Sequence, residues 1–467
     1  MTTAIAILTI HLLSACVGSI HLVLQNKRPP AQLAWLLSMF ALPLLGVLFY
    51  VLFGNDRIAM RRLRPRLNLD IDELRSHGVP EGWQTKPDAP VMQALASFHP
   101  HGAVAGNRVV MLERAAEFYD RLIADIAEAR EQLWLCFYIW RNDEHGQRLV
   151  EACAAAAKRG VDVRVLVDEV GSLSTSKDLF EPLRSAGGRM CWTGMVHPQR
   201  FRWIIGLRNH RKIAVIDGMI GYTGGINIGS EYVHGHGTEP WHDLQIRLQG
   251  PVVRQLGQLF AEDWHFAADE MVPAPGGSPE PLPAGIDGVL IAGTPDLGSG
   301  RAESSILMLM QYARKRIILT TPYFAPDIPL IVQMELAAAR GVEVVLHVSN
   351  KCDMGPIIRI SRTYYERLLR AGVTIKEYRP KSIHHTKCVL VDDRYCLLGS
   401  INLDVRSFRL NFEVGILFDD PRLTQEVDAI IAERAADAST VALDDFLQRP
   451  LLDRLYEGLL RSFAPII

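Results

Sequence analysis

Two stretches of this chain share one polar frame. LRNHRKIAVIDGMIGYTGGIN runs from Leu207 to Asn227, and IHHTKCVLVDDRYCLLGSIN from Ile383 to Asn402. Each reads His, one residue, Lys, four residues, Asp, a small-residue turn and an Asn. His210, Lys212, Asp217 and Asn227 thus recur as His385, Lys387, Asp392 and Asn402. The surroundings recur as well. Before the first copy, apolar spacing predicts a helix (AAEFYDRLIADIAEAREQ), a buried strand (Leu133–Trp140), a helix ended by Gly160 and a strand (Val161–Asp168). Before the second it predicts the helix ESSILMLMQYARKR, the strand IILTTPYF, a helix ended by Gly341 and the strand VEVVLHVS, then one more helix, RTYYERLLRAGV. The landmarks keep register, with 181 residues between the glycines and 175 between the histidines. Such a chain folds as two like α/β units, and two like units can pack face to face as a pseudo-dimer.

The repeat also predicts where chemistry sits. HRKIAVID and HTKCVLVD read as strands, and residues i and i+2 of a strand share a face. His210 and Lys212 then point one way, as do His385 and Lys387. Asp217 and Asp392 fall where each strand turns, placed either to brace the loop or to join the chemistry. GGIN and GSIN bring backbone and an Asn amide close to a ligand. One such motif is weak evidence, because a strand histidine is commonly structural. Two at matched positions of a duplicated unit point to function. If the units pack with pseudo-two-fold symmetry, two His, two Lys and two Asn converge. Lysines and amides suit phosphate oxygens. One histidine can attack phosphorus while the other protonates the leaving oxygen. This chemistry asks for no metal and no cofactor, and no carboxylate cluster resembles a two-metal site.

The beginning of the chain differs in kind. Ala4–Leu24 and Ala31–Phe53 contain no acid or base, and about 20 apolar residues cross a bilayer as a helix. The expected organisation is two transmembrane helices within residues 1–60 (about 4–24 and 31–53) and a polar connection over 61–106. A first α/β domain over 107–271, a Pro/Gly linker over 272–285 and a second domain over 286–467 complete it. His11 and His21 fall inside the first span and read as tolerated there. Lys27 and Arg28 lie between the spans, against Arg57, Arg61, Arg62, Arg64 and Arg66 after them. That bias places the large C-terminal part in the cytoplasm. The same arginines suit an anionic bilayer surface.

Composition sets limits. The net charge is −2, so no global basic field advertises nucleic acid. Cysteines at 16, 136, 153, 191, 352, 388 and 396 show neither a C-x-x-C pair nor zinc-ligand spacing. Most lie in apolar runs and read as reduced core thiols.

The paired His-x-Lys-x4-Asp motifs resemble those of the phospholipase D superfamily. Within it, the chain resembles bacterial cardiolipin synthases with two N-terminal membrane helices. PLLGVLFYVLFG (Pro43–Gly54), NHRKIAVIDG with GGINIGSEY, TPYFAPD (Thr321–Asp327), YYERLLRAGV and GSINLDVRSFRLNFEV (Gly399–Val414) carry the likeness, which spans nearly the whole chain. Cys136 stands where the family pattern has Glu before FYIW, and IHHTK replaces the commoner Leu-His-Ala-Lys. The resemblance implies two tandem α/β sandwich domains with mixed sheets and a pseudo-two-fold axis. It also implies catalysis through a phosphatidyl-histidine. By position, Asp243 and Glu413 resemble the acids that hydrogen-bond the catalytic imidazoles. Asn227 and Asn402 resemble phosphate-binding amides, and Arg406 and Asn411 are candidates for headgroup contact.

The implied reaction transfers a phosphatidyl group from one phosphatidylglycerol to another and releases glycerol, with His210 as nucleophile and His385 as acid and base. A hydrolase releasing phosphatidic acid, or a transferase using phosphatidylethanolamine as one donor, needs the same residues. Two apolar spans and no basic channel speak against a nuclease of the superfamily. Two complete motifs speak against a membrane scaffold with dead repeats.

Overall fold

The computed structural model describes residues 2–24, 29–51, 83–193, 196–197, 202–203, 207–235, 239–272, 276–277, 279–295, 300–351, 355–378 and 382–461. They fall into two units. One holds the N-terminal segment to residue 71 with 195–205, and the other holds 72–194 with 206–467.

In the N-terminal unit, helix α1 (Thr2–Val23) is long and apolar enough to cross a membrane, with a mean hydropathy of 1.9 over Ile5–Val23. The second apolar segment is not the continuous span expected over 31–53. It forms α2 (Pro29–Ala41), breaks at Leu42–Leu44 and resumes as α3 (Leu45–Phe49). Pro43 explains the break: it carries no N–H and drives the residue before it out of helical conformation. Leu44 then adopts φ 60°. The 13 residues of α2 reach only about 20 Å, short of a hydrocarbon core of about 30 Å. The two histidines hold the segments together. Leu44 donates its N–H to His11 Nδ1 at 3.3 Å, and His21 Nδ1 lies 2.8 Å from Tyr50 Oη. The arginine-rich stretch 57–66 lies outside the described residues.

The larger unit is built twice around one sheet path. The first set of strands is β1 (Ala103–Leu112), β2 (Gln132–Phe137), β3 (Asp162–Asp168), β4 (Arg189–Thr193), β5 (Ile213–Ile216), β6 (Ile220–Gly224) and β7 (Gln245–Gln249). The second is β8 (Ile286–Gly293), β9 (Arg316–Thr321), β10 (Glu343–Ser349), β11 (Thr374–Tyr378), β12 (Cys388–Val391), β13 (Tyr395–Gly399) and β14 (Asn411–Asp419). Their spatial order is 11-10-9-12-13-14-8-1-7-6-5-2-3-4, which reads the same from either end once each strand is matched to its repeat. The sheet is mixed: β2–β3–β4 and β9–β10–β11 are parallel, and the remaining pairs on this path are antiparallel.

The halves meet in two ways. β1 and β8 pair antiparallel, Ala103 opposite Val289, so backbone bonds join the sheets edge to edge. One buried cluster also draws on both halves: Trp134, Leu166 and Val215 from the first, Ile318, Leu390 and Ile416 from the second. Helices α7 (Val252–Ala268) and α11 (Pro421–Arg434) complete it with Leu256, Phe260, Trp264, Val427 and Ile431. The outer faces are covered by the predicted helices, α5 (Ala115–Ala127) and α6 (Glu144–Lys158) on one half, α8 (Arg301–Gln311) and α9 (Ile328–Ala339) on the other. Within the polar connection, α4 (Pro90–Phe98) buries Val91, Met92 and Leu95 against the second half, and β1 begins at Ala103. Six cysteines among the described residues form no disulfide, four of them buried. Cys352 lies outside them.

Candidate active site

The His-x-Lys triplets are not in the sheet ladder as expected. β5 starts at Ile213 and β12 at Cys388, so both triplets are lead-ins that precede their strands. What holds them comes from the opposite half. Arg208–Asn209 pairs in parallel with Asn411–Phe412, and the His210 N–H donates to Phe412 O at 2.9 Å. Reciprocally, His242 bridges His384, and the His385 N–H donates to His242 O at 2.7 Å.

This exchange delivers each imidazole to the other half's acid. His210 Nδ1 lies 3.0 Å from Glu413 Oε2, and His385 Nδ1 lies 2.7 Å from Asp243 Oδ2. A carboxylate only accepts, so His210 Nδ1 carries the proton and its Nε2 keeps the lone pair, whereas His385 Nδ1 lies 2.7 Å from both Asp243 Oδ2 and Lys387 Nζ. Burial pushes the His210 pKa down to about 4, with Lys212 adding to the effect and Glu413 opposing it. His210 is therefore neutral near pH 7. Burial pushes the Glu413 carboxyl up, but His210, Lys212 and Ser400 outweigh it and the net shift is down. Asp243 behaves alike, its burial overcome chiefly by Lys387 and then by His385.

The lysines sit behind the imidazoles. Lys212 Nζ donates to His210 O at 2.7 Å and lies 5.4 Å from the centre of the Tyr138 ring. Burial lowers its pKa to about 7 against the pull of Glu413. Lys387 Nζ donates to His385 O and to Asp243 Oδ2, the latter at 3.2 Å. A cavity of about 400 Å³ opens in front and is lined by His210, His385, Asn227, Asn402, Arg406 and Asn411. Neither lysine lines it; Arg141 and Arg208 do. Tyr138 stands 4.8 Å from His210, and Trp241, Tyr232 and Tyr323 surround His385 at 5.5 to 5.9 Å between ring centres.

The remaining sequence-predicted residues divide. Asp217 and Asp392 are not in the cavity. They sit at φ 50° and 52° at the far ends of β5 and β12. Asp217 accepts the N–H groups of Arg130, Glu131 and Gln132 at 2.8 to 2.9 Å. Asp392 accepts those of Arg314, Lys315 and Arg316 at 2.7 to 3.2 Å. Both tie the motif strand to its neighbour and touch no imidazole, which is a bracing position. Asn227 is already engaged: its Oδ1 accepts the Ile139 N–H at 3.1 Å and its Nδ2 donates to Tyr232 Oη at 2.9 Å. Asn402 Oδ1 is buried with no partner among the described residues, and so is Asn411 Oδ1.

Several contributors escaped the sequence reading. Ser400 and Ser407 donate to the two Glu413 oxygens at 2.5 and 2.8 Å. Arg211 Nε donates to Glu413 O at 3.0 Å, and Arg434, from the end of α11, reaches Asp243 O at 3.3 Å. Cys136 is buried beneath the first motif, and burial pushes its thiol pKa well up. Ser400, Ser407 and Arg211 lie inside the quoted motifs and could have been flagged. Arg434 has no sequence signal.

Two interlocked half-sites, each with an imidazole, a lysine and a borrowed carboxylate, define a phosphoryl-transfer type of centre in a duplicated α/β fold. Comparison with known proteins narrows the class. The sequence profile of "Cardiolipin synthase, PLD-like domain" matches residues 122–264 and 306–434, and that of "Phospholipase_D-nuclease N-terminal" matches 13–55. The chain is 32% identical to the major cardiolipin synthase of Bacillus subtilis, covering 95% of each chain. It is 33% identical to a cardiolipin synthase of Geobacillus kaustophilus (98% of this chain, 93% of that one). Cardiolipin synthase A of Proteus mirabilis is 30% identical, again over 95% of both. In fold it resembles phosphatidylserine synthase of Haemophilus influenzae, with a TM-score of 0.56 and 19% identity over 77% of this chain and 93% of that one. The chain belongs to the cardiolipin synthase family of the phospholipase D superfamily, and its activity is that of a membrane-associated phosphatidyltransferase.

Proposed function

We propose that the chain makes cardiolipin from two phosphatidylglycerol molecules, with His210 as nucleophile and His385 as acid and base. The crossed histidine–carboxylate pairs on one cavity carry this reading. His210 Nε2 attacks the phosphorus of the first lipid. The bond from phosphorus to the headgroup oxygen breaks, His385, which enters this step as the imidazolium, gives that oxygen its Nε2 proton and becomes neutral, and glycerol leaves. His385 then takes the proton from a hydroxyl of the second lipid. Its oxygen attacks phosphorus, the phosphorus–nitrogen bond breaks and cardiolipin departs. One phosphodiester replaces another, so no nucleotide is consumed.

The environments support the division of labour. Apart from His210, the side-chain donors that reach Glu413 are neutral (Ser400, Ser407 and Asn411), so its charge serves the cation formed when His210 is phosphorylated. Asp243 is shared with Lys387, which reduces its hold on an imidazolium and suits His385 to releasing a proton. Arg208 and Arg406 on the cavity wall are suited to meet phosphate oxygens. The basic bias after the apolar segments supports a protein of a bacterial inner membrane with this site on the cytoplasmic side.

The test is lipid mass spectrometry after the purified full chain is incubated with phosphatidylglycerol, beside a His210→Ala control. Cardiolipin and free glycerol, absent from the control, are expected. Phosphatidic acid alone would make water the acceptor. Cardiolipin formed only after phosphatidylethanolamine is added would make that lipid one donor.

A further inference from the structure

Helix α12 (Leu451–Arg461) is amphipathic in an inverted sense. Leu451, Leu452, Leu455, Tyr456 and Leu459 are each more than half exposed, Leu452 by 80%. At 100° per residue these five project within about 140° of one another, one continuous apolar stripe. The face turned to the protein is largely polar, with Leu460 its apolar contact to the core. Glu457 is buried and paired with Arg449 at 2.6 Å, and Asp453 is paired with Arg359 at 3.1 Å. A soluble surface helix arranges these residues the other way round, so the stripe requires a cover.

Three observations say which cover. First, α12 packs on helix α10 (Gly355–Arg362), whose Ile357 lines the 400 Å³ cavity, so the stripe belongs to the cavity's surroundings. Second, another exposed apolar side chain stands at the cavity's rim: Leu173, 75% exposed, follows Val170 and Gly171, which line it. Third, cations stand on and beside α12: Arg454 and Arg461 are exposed, and Arg359 and Arg449 are paired with Asp453 and Glu457, while the exposed Asp444 and Asp445 lie before the helix. Apolar side chains beside cations are the chemistry of an anionic lipid surface.

We propose that α12 is an interfacial helix that embeds Leu451, Leu452, Leu455, Tyr456 and Leu459 among the headgroups of an anionic bilayer, setting the cavity against the layer that holds its substrates. The proposal rests on the reading that those substrates are membrane phospholipids. A lipid headgroup that leaves the bilayer only at the rim of the cavity keeps its acyl chains in hydrocarbon, which spares the cost of exposing them to water.

Two readouts on the full-length protein test this. The first needs no turnover. Leu455→Cys, in a Cys16→Ser, Cys191→Ser, Cys352→Ser background, is labelled with bimane in phosphatidylglycerol-containing vesicles, and brominated phosphatidylcholine is added as quencher. Quenching at Leu455 is expected, and none for the same label at Met219→Cys, in the turn between β5 and β6. Equal, absent or reversed quenching overturns the proposal. If Leu455 alone is quenched while the protein turns over no phospholipid, the docking stands and the substrate reading fails. The second readout is the variant Leu452→Glu, Leu455→Glu, Leu459→Glu. Its turnover of vesicle-borne phosphatidylglycerol should fall about tenfold or more, with turnover in detergent micelles unchanged within about twofold. Equal loss in both, or loss in neither, overturns the proposal. So does a change from dimer to monomer in the variant, which would make a second copy the cover.

Discussion

The two half-sites match in backbone and differ in how each acid is kept charged. Around His210, Glu413 is held by Ser400, Ser407 and Asn411, and its carbonyl is clamped by Arg211 from within the first motif. Around His385, Asp243 shares its carboxylate with Lys387, and its carbonyl is reached by Arg434 from a helix. Asn227 is committed to Ile139 and Tyr232, whereas Asn402 Oδ1 has no partner among the described residues. Duplication copies a framework, and each copy then adjusts its own electrostatics. In the proposed reaction the two imidazoles take opposite parts, and unequal support suits that division.

The sharpest way to break this comparison is to remove each imidazole. His210→Ala should cut turnover by at least about ten-thousand-fold and leave no lipid–protein adduct in intact-mass spectra. His385→Ala should slow phosphatidylglycerol cleavage by about a hundred- to ten-thousand-fold. It should still load His210 from a donor with a nitrophenol leaving group, which needs no acid. The reverse pattern would exchange the roles.

The acids come next. Glu413→Gln should cost about a thousandfold in rate, because the amide no longer enforces the Nδ1–H tautomer. Asp243→Asn should cost less in rate and more in folding, on the order of 3 kcal/mol in chemical denaturation, because Lys387 is left buried without its partner.

The pH profile sharpens the same contrast. In kcat/KM, activity should rise with pH through about 4 as His210 loses its proton, and fall above about 7 as Lys212 loses its charge. Glu413 raises both pKa values, so Glu413→Gln should move both limbs to lower pH. A profile unmoved by that change would detach Glu413 from the site.

Smaller effects test the symmetry itself. Asp217→Ala and Asp392→Ala should each lower stability by about 2 kcal/mol, read as denaturation midpoints, with kcat within about threefold of the parent. Unequal losses would show that the bracing loops are not equivalent. Asn227→Ala should cost about 1 kcal/mol of stability by orphaning the Ile139 N–H. Asn402→Ala should leave stability unchanged and lower kcat/KM about tenfold.

Much of this was legible in the chain. Helical and strand periodicity, Gly160 and Gly341 as helix stops, and the repeat spacing are local signals. They announce the elements, their order and their duplication. The N-terminal segment shows the limit of composition: 23 apolar residues read as one span, while Pro43 divides them. α4 was missed because nine residues with three core contacts carry little periodicity.

The sequence by itself determined which groups are candidates for the chemistry, because His, Lys, Asn and the two acids are chemical facts of the chain, and twinning marked out the first three. Only the tertiary structure decided the pairing. Glu413 on β14 and Asp243 on the lead-in to β7 each follow a residue that accepts the other half's histidine N–H, so Glu413 serves His210 and Asp243 serves His385. Contacts of this kind join residues 203 and 142 positions apart, and no local pattern encodes a partner at that distance. The same holds for Asp217 and Asp392, whose motif spacing groups them with the histidines. The geometry of an extended strand carries them to its opposite end, where backbone N–H groups wait for an acceptor.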